Sequence, residues 1–208
     1  MQVPQTLEAR LFRMEAALQI QQLMYRYVHN MALFRADKVA ELFAPRDDSS
    51  IEISSDGVCR GIEAIRAFYE RTRSLGEAKG TMIEHYMLCP VVEVAADGMT
   101  ARASAFSPGI VSIASARAQG WNWGKYFAAF IKEEHEWKIW HLHWYQMFEC
   151  SYEKGWLYEQ HGHAAAELAG GLPPSGANRA STYHKPYDPK AINYFLPEPP
   201  EPYETWSE

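Results

Sequence analysis

The stretch WNWGKYFAAFIKEEHEWKIWHLHWYQMF, residues 121–148, decides the fold class. Two segments rich in aromatic and β-branched residues, 121–132 and 137–148, lie on either side of the polar residues EEHE. Such segments favour strands, and a short polar connection between them predicts an antiparallel hairpin. Similar segments at 82–95 and 100–113 are joined by AADG. The second half of the core is therefore predicted to be an antiparallel sheet, bent or bulged at Pro108-Gly109.

The first half of the chain has helical patterning. No Pro or Gly interrupts residues 7–34, and apolar residues recur there at steps of three and four, which predicts one long helix with an apolar face. Further helices are predicted at 37–43 and 61–72, separated by a short strand at 49–54 and a turn at Asp56-Gly57. Helices followed by an antiparallel sheet define an α+β fold in which the helices cover one face of the sheet.

The composition describes an acidic globular protein of 208 residues. Lys and Arg number 20 against 26 for Asp and Glu, so the net charge is −6, and no basic stripe indicates a nucleic-acid partner. No run approaches the roughly 20 apolar residues of a membrane span, and residues 1–18 lack the apolar core of a secretion signal. Because the three cysteines are odd in number and widely spaced, we expect a cytoplasmic protein without a disulfide framework.

The composition changes near residue 151, so we expect one domain at 1–150 and a C-terminal extension at 151–208. Residues 155–171 predict a short helix, and the remainder is rich in Pro and Tyr, which cannot form a core of its own. This segment is either a disordered tail or an ordered arm. As an arm, its aromatic side chains would hold it against a neighbouring subunit or over the mouth of a pocket.

Four segments resemble a known family in their order and spacing: YRYVHNMALFRADKVAELFAP (25–45), GIEAIRAFYE (61–70), HYMLCPVVEVAADGMTARA (85–103) and KEEHEWKIWHLHWY (132–145). They resemble the SnoaL-like branch of the nuclear transport factor 2-like superfamily. That branch includes polyketide cyclases, scytalone dehydratase, bile-acid 7α-dehydratase and a dehydrochlorinase. The resemblance implies a cone-shaped, curved antiparallel sheet, also called cystatin-like, with N-terminal helices enclosing a pocket. It further implies a homodimer or homotrimer, and lyases that need no metal or organic cofactor.

Tyr27 and His85 are the candidate catalytic residues. Tyr27 lies on the apolar face of the long predicted helix, where its ring can simply pack or its hydroxyl can act as an acid. His85 stands five residues before Pro90, and an imidazole can take and give a proton near neutral pH. The resemblance implies a catalytic tyrosine at position 27 and a catalytic histidine at position 85.

The sequence departs from the related dehydratases at three positions. Ala32 stands where the resemblance implies an Asp that orients the histidine. Gly109 stands at the place of a second carboxylate, and Gln146 at the place of an Arg. The usual partner of His85 is therefore missing.

Three explanations for the missing partner stay open. Asn30, one helical turn from Tyr27, could orient His85, although an amide stabilises an imidazolium less well than a carboxylate does. Another acid, Glu84 or Asp37, could reach the ring instead. Alternatively, the proton chemistry has been lost and the pocket only binds a ligand.

Large aromatic side chains are the candidates for binding a flat ligand. The predicted substrate-binding residues are Asn30, Trp123, Tyr126, Trp144 and Gln146. Strand alternation puts His141 and His143 on the opposite face from Trp144 and Gln146. The resemblance implies that Trp144 and Gln146 line the cavity, and therefore that the two histidines lie in the contact between subunits, unless a bulge reverses the parity. These two histidines lack an obvious third ligand, so no metal site is predicted.

The sequence thus predicts a cofactor-independent acid–base enzyme. The reaction is expected to be that of a lyase (dehydratase), an isomerase or a cyclase, and the substrate a hydrophobic cyclic or aromatic small molecule. The alternative is a non-catalytic small-molecule-binding or assembly module on the same fold, which Ala32 favours.

Overall fold

The structure is a computed structural model that describes residues 6–54, 56–159 and 176–207. It confirms the predicted α+β order, with helices early in the chain and the long strands later. The helices are α1 (Leu7–Ala32), α2 (Ala36–Ala40) and α3 (Ile62–Gly76). The strands are β1 (Ser50–Ile53), β2 (Val58–Arg60), β3 (Thr81–His85), β4 (Leu88–Val94), β5 (Thr100–Ile113), β6 (Ala118–Glu133) and β7 (Glu136–Ser151).

The strands form one strongly curled sheet in the order β2-β1-β7-β6-β5-β3, with β4 also paired to β5. The predicted hairpin of β6 and β7 is confirmed and lies at the centre of the sheet. The predicted turn at Asp56-Gly57 joins β1 to β2, and Gly57 there has a φ of 94°. The α1 helix lays its buried face against the inside of the sheet, so the helices and the curled sheet enclose a common core.

The predicted strand at 82–95 is two strands. Residues 86 and 87 separate the two strands. Within β4, Cys89 adopts a φ of 51°, and the pairing with β5 shifts register between Leu88 and Val91. Strand β3 pairs with the second half of β5 and β4 pairs with the first half. The break leaves His85 at the very end of β3.

Of the two predicted alternatives at Pro108-Gly109, a bend or a bulge, the bulge is wrong, because β5 pairs with β6 without a register shift from Thr100 to Ile113. The carbonyl of Pro108 accepts a hydrogen bond from the Tyr86 amide (3.1 Å). Pro108 therefore lies beside the break between β3 and β4. A proline lacks an N–H to donate, and here the missing donor falls where the ladder is already interrupted.

The bulges lie instead between β6 and β7, at Trp123/Gly124 and at Ala129/Phe130. The second bulge makes Trp140 an extra residue in β7 and changes the parity of the strand. Trp137 and Ile139 therefore join Leu142 on the buried inner face, whereas strict alternation would have put them on the outer face.

The described part of the C-terminal arm, residues 176–207, lies across the outer face of the sheet of its own chain. Thr182 donates its amide (2.7 Å) and its hydroxyl (2.6 Å) to the carboxylate of Glu52 on β1. Farther along, the ring of Trp206 lies 5.0 Å from that of Trp140. The predicted helix at 155–171 falls mainly on residues 160–175, which are outside the described residues.

The arm changes the expectation for His141 and His143. Both lie on the outer face, as predicted, but the arm covers this face: Trp206 lies 5.9 Å from His141, and Tyr183 lies beside Tyr145, which stacks on His143.

Among the described residues, no helix combines the length and the apolar character that a membrane span requires.

Candidate active site

Three phenols meet inside the cone, next to α1. Tyr27 is only 1% exposed, and its ring lies 6.0 Å from that of Tyr126 and 6.3 Å from that of Tyr69. The hydroxyl of Tyr69 donates to that of Tyr27 over 3.2 Å. Burial raises the pKa of all three phenols, so each hydroxyl stays protonated at neutral pH. The interior beside Tyr27 is filled by these rings and by Phe43.

His85 lies farther along the inner face, directly opposite Gly109 of β5. Its half-buried ring meets the edge of Trp144, with 5.1 Å between ring centroids. A Cβ on Gly109 would lie 2.9 Å from Nδ1 of His85, so the imidazole occupies the space that a side chain at position 109 would need. The position that the resemblance associates with a carboxylate is thus a glycine that makes room for the histidine.

Nδ1 of His85 is shielded from solvent and has no hydrogen-bond partner among the described residues. Because the charged imidazolium would lose its hydration there, burial lowers the pKa of His85 to about 4. The ring is therefore neutral at pH 7 and can accept a proton.

Asn30 does not orient His85. Its amide donates instead to the carbonyl of Arg26, one turn earlier in α1, over 2.9 Å. Glu84 and Asp37 do not replace the missing carboxylate either, because Nδ1 of His85 lacks any partner among the described residues. The contacts therefore contradict the first two explanations, and the third, that the proton chemistry has been lost and the pocket only binds a ligand, stays open. A role for Asn30 in substrate binding stays a prediction.

Eleven buried polar side-chain atoms of the described residues have no hydrogen-bond partner, and three of them, besides Nδ1 of His85, are on strands of the inner face near Trp144 and Gly109. These three are Nε1 of Trp144, Oδ1 of Asn122 and Oγ of Ser107. Ser107 lies beside Tyr126 and partly offsets the rise that burial causes in the pKa of that phenol. Its Oγ nevertheless makes no hydrogen bond of normal geometry. Buried polar atoms are rarely left unpaired, so such a group indicates a place where water or a ligand binds.

Sequence reasoning missed Glu149, which is 7% exposed and lies opposite Asn122 on the inner face. Alternation from Trp144 and Gln146 would have placed Phe148 inside and Glu149 outside. The bulge at Trp123/Gly124 reverses them. Burial, reinforced by the charge of Asp56, raises the pKa of Glu149 to about 7.

Gln146 lies between the aromatic wall and Glu149. Its Oε1 accepts a hydrogen bond from Ser54, and its Nε2 lies 3.5 Å from Oε2 of Glu149. Trp123, by contrast, is on the outer face, 37% exposed, and stacks on Phe148 at 5.9 Å. The sequence prediction grouped it with Tyr126, but the alternation of β6 separates the two.

The other candidate groups lie elsewhere. Nδ1 of His141 is within 2.9 Å of the Ser50 hydroxyl, and His143 faces Glu52 at 3.5 Å. In the described ranges no three His, Cys, Asp or Glu side chains come together as metal ligands do. A shallow depression lies between α1, α2 and α3, lined by residues that include Phe34 and Arg73, and it has no enclosed room for a water molecule. It is smaller than the several hundred Å³ of a typical ligand pocket.

Residues 13–143 match the sequence model of the SnoaL-like domain family. This match spans more than half of the chain, so the protein belongs to the SnoaL-like family. No curated protein matches it significantly.

Solved structures with the same fold include three of different kinds. A hexachlorocyclohexane dehydrochlorinase, LinA type 3, from Novosphingobium barchaimii LL02 is 14% identical (TM-score 0.59), covering 70% of this chain and 96% of the other. A candidate scytalone dehydratase from Novosphingobium aromaticivorans is 18% identical (TM-score 0.58; 71% and 92% covered). An NTF2-like protein with a cystatin-like fold from N. aromaticivorans is 20% identical (TM-score 0.55; 81% and 98% covered). At these identities the likeness establishes the fold.

Proposed function

We propose that this protein is a cofactor-independent acid–base enzyme that eliminates water from a hydrophobic cyclic molecule. One observation carries the proposal: a neutral imidazole with a free ring nitrogen lies among buried, unpartnered polar atoms on an aromatic inner surface. A neutral group that can take up a proton in a buried site is one requirement of general acid–base catalysis. The folds of a dehydrochlorinase and a candidate dehydratase are similar, which agrees with an elimination.

His85 is proposed to be the base. It would take a proton from the carbon next to a carbonyl group, and the C–O bond at the following carbon would break, so that the hydroxyl leaves with a proton as water. An imidazole with a low pKa is a weak base, and no carboxylate stabilises its charged form. The proton must therefore already be acidic, as it is next to a ketone conjugated with an aromatic ring.

The neighbouring donors would stabilise the negative charge that develops on the carbonyl oxygen. The indole N–H of Trp144 is unpartnered and lies in the ring that contacts His85. Glu149 has a pKa of about 7, so it is protonated in part of the molecules at neutral pH and can supply a proton to the leaving hydroxyl. A preformed donor in a buried site is worth more than the same donor in water.

Tyr27 is proposed to act through Tyr126. Its hydroxyl is engaged with the phenols of Tyr69 and Tyr126 and is sealed from solvent. In this position it fixes the Tyr126 phenol, which faces Trp144 across β6 and β7. Isomerisation or cyclisation of a related cyclic ketone would use the same proton transfer.

The test uses 3-hydroxy-1-tetralone, a bicyclic β-hydroxy ketone whose dehydration gives 1-naphthol, which is fluorescent. We expect the protein to accelerate the appearance of 1-naphthol. His85→Ala should reduce this rate by at least about 100-fold, because it removes the base. His29→Ala, on the exposed face of α1, is the matched control and should retain the rate. Circular dichroism of both variants checks that each is folded.

The second candidate is a binding module, which the missing Asp at position 32 and the solidly filled interior beside Tyr27 favour. Quenching of tryptophan fluorescence by 1-tetralone, lost in Trp144→Ala, would report binding at this site. Binding of 3-hydroxy-1-tetralone without its conversion would reject the enzyme and support the module. Conversion that survives in His85→Ala would reject the assigned base.

A further inference from the structure

A stripe of large apolar side chains runs along the outer face of α1, on the side opposite the core. It consists of Leu7 (77% exposed), Leu11 (63%), Met14 (69%) and Leu18 (58%). The residues of α1 that are buried, such as Ala16, Ile20 and Tyr27, point the other way, into the sheet. Scattered apolar residues on a surface are ordinary, but a contiguous row of four indicates a contact surface.

The spacing of the α1 stripe is that of a coiled coil. Its members are separated by four, three and four residues, so they occupy alternating d and a positions of a heptad repeat. Residues with this spacing form a seam that faces a second helix rather than a flat surface.

We propose that the α1 stripe binds the α1 stripe of a second copy of this chain, with the two helices parallel. Charge decides both the occupant and the direction. Arg10 and Glu15 flank the stripe on opposite sides, at g and e positions, and are five residues apart. In a parallel pair, a g residue meets the e residue of the next heptad on the other helix. Arg10 of each copy would therefore meet Glu15 of the other, which gives two interhelical ion pairs.

Neither side chain is used otherwise in an ion pair within the described residues, and both are exposed. Glu15 only accepts a hydrogen bond from Gln19 of its own helix, at 3.3 Å. The outer face of the sheet, where the sequence predicted the contact with a neighbouring subunit, carries the arm of its own chain. The described residues leave other apolar side chains exposed, such as Leu88 and Phe106 on paired strands, but the α1 stripe combines heptad spacing with flanking charges.

Sedimentation velocity of the full chain across the micromolar range tests this proposal. The stripe spans only two heptads, so we expect a reversible dimer with a dissociation constant on the order of micromolar. The double variant Leu11→Lys/Leu18→Lys should weaken the dimer by at least about 100-fold. Leu88→Lys/Ile192→Lys changes two exposed aliphatic residues outside the stripe and should leave the dimer intact.

Charge reversal tests the parallel arrangement. Arg10→Glu places two acidic pairs across the interface and should weaken the dimer, and adding Glu15→Arg should restore it. A chain that stays monomeric throughout, or a dimer that withstands the double lysine variant, would overturn the proposal. A dimer that the second charge change fails to restore would overturn the parallel pairing.

Discussion

Glu149 places an ionisable carboxyl group inside the core, opposite Asn122. A carboxylate there loses its hydration, and this cost is what raises its pKa to about 7. The folded protein therefore binds the proton of Glu149 more tightly than the unfolded chain does. Its contribution to stability is complete below the unfolded pKa of about 4.5 and is lost as the pH rises through about 7.

Glu149→Gln should remove this pH dependence, because the amide has the same shape and does not ionise. Between pH 4.5 and 8 the wild type should lose about 3 kcal/mol relative to the variant. Urea unfolding at a series of pH values measures the difference in unfolding free energy. Glu77→Gln, at an exposed position, is the control and should follow the wild type. Parallel curves for Glu149→Gln and the wild type would show that this carboxyl is not buried in the folded protein.

The position of Glu149 explains why residue-level reasoning from sequence identified part of the site only. Trp144 and Gln146 could be placed on the inner face by alternation together with the family resemblance. Glu149 could not, because nothing in the letters QMFEC marks the bulge that turns it inward. Ser107 and Asn122 were missed for a simpler reason: a single Ser or Asn in a strand gives no signal until its unpartnered atoms are seen.

Among the elements, the long helix and the central hairpin could be predicted because apolar and aromatic residues follow a helical or strand pattern over many residues in each. The break between β3 and β4 at residues 86–87 could not, since the residue pattern of 82–95 is continuous and the change from pairing with one half of β5 to pairing with the other is visible only in the structure. That break fixes the end of β3, and with it the location of His85.

The C-terminal arm is held to the sheet by aromatic side chains. Trp206 lies against Trp140 and under the guanidinium of Arg102, which is 4.7 Å from its ring. Trp206→Ala should therefore lower the free energy of unfolding by about 1–3 kcal/mol and speed cleavage of the arm by chymotrypsin. Ile192→Ala is the matched control in the arm, because Ile192 is almost fully exposed and should change neither quantity. Unchanged cleavage in Trp206→Ala would mean that the arm is anchored elsewhere.

In the whole molecule, the two faces of one sheet carry different groups. The inner face carries the phenols, His85 and the unpartnered polar atoms, and the outer face carries the arm. The α1 helix has the same division, with its buried side closing the core and its apolar stripe turned outward. This arrangement separates the proposed association through α1 from the proposed chemistry at His85, so variants of one should not disturb the other.

The central claim, that His85 moves a proton to and from carbon, is tested most directly by isotope exchange. In deuterated water, the hydrogens next to the carbonyl of 1-tetralone exchange without any leaving group, and NMR follows their loss. The account predicts that the protein accelerates this exchange and that His85→Ala, still folded, does not. Equal exchange rates with the wild type and with His85→Ala would contradict it.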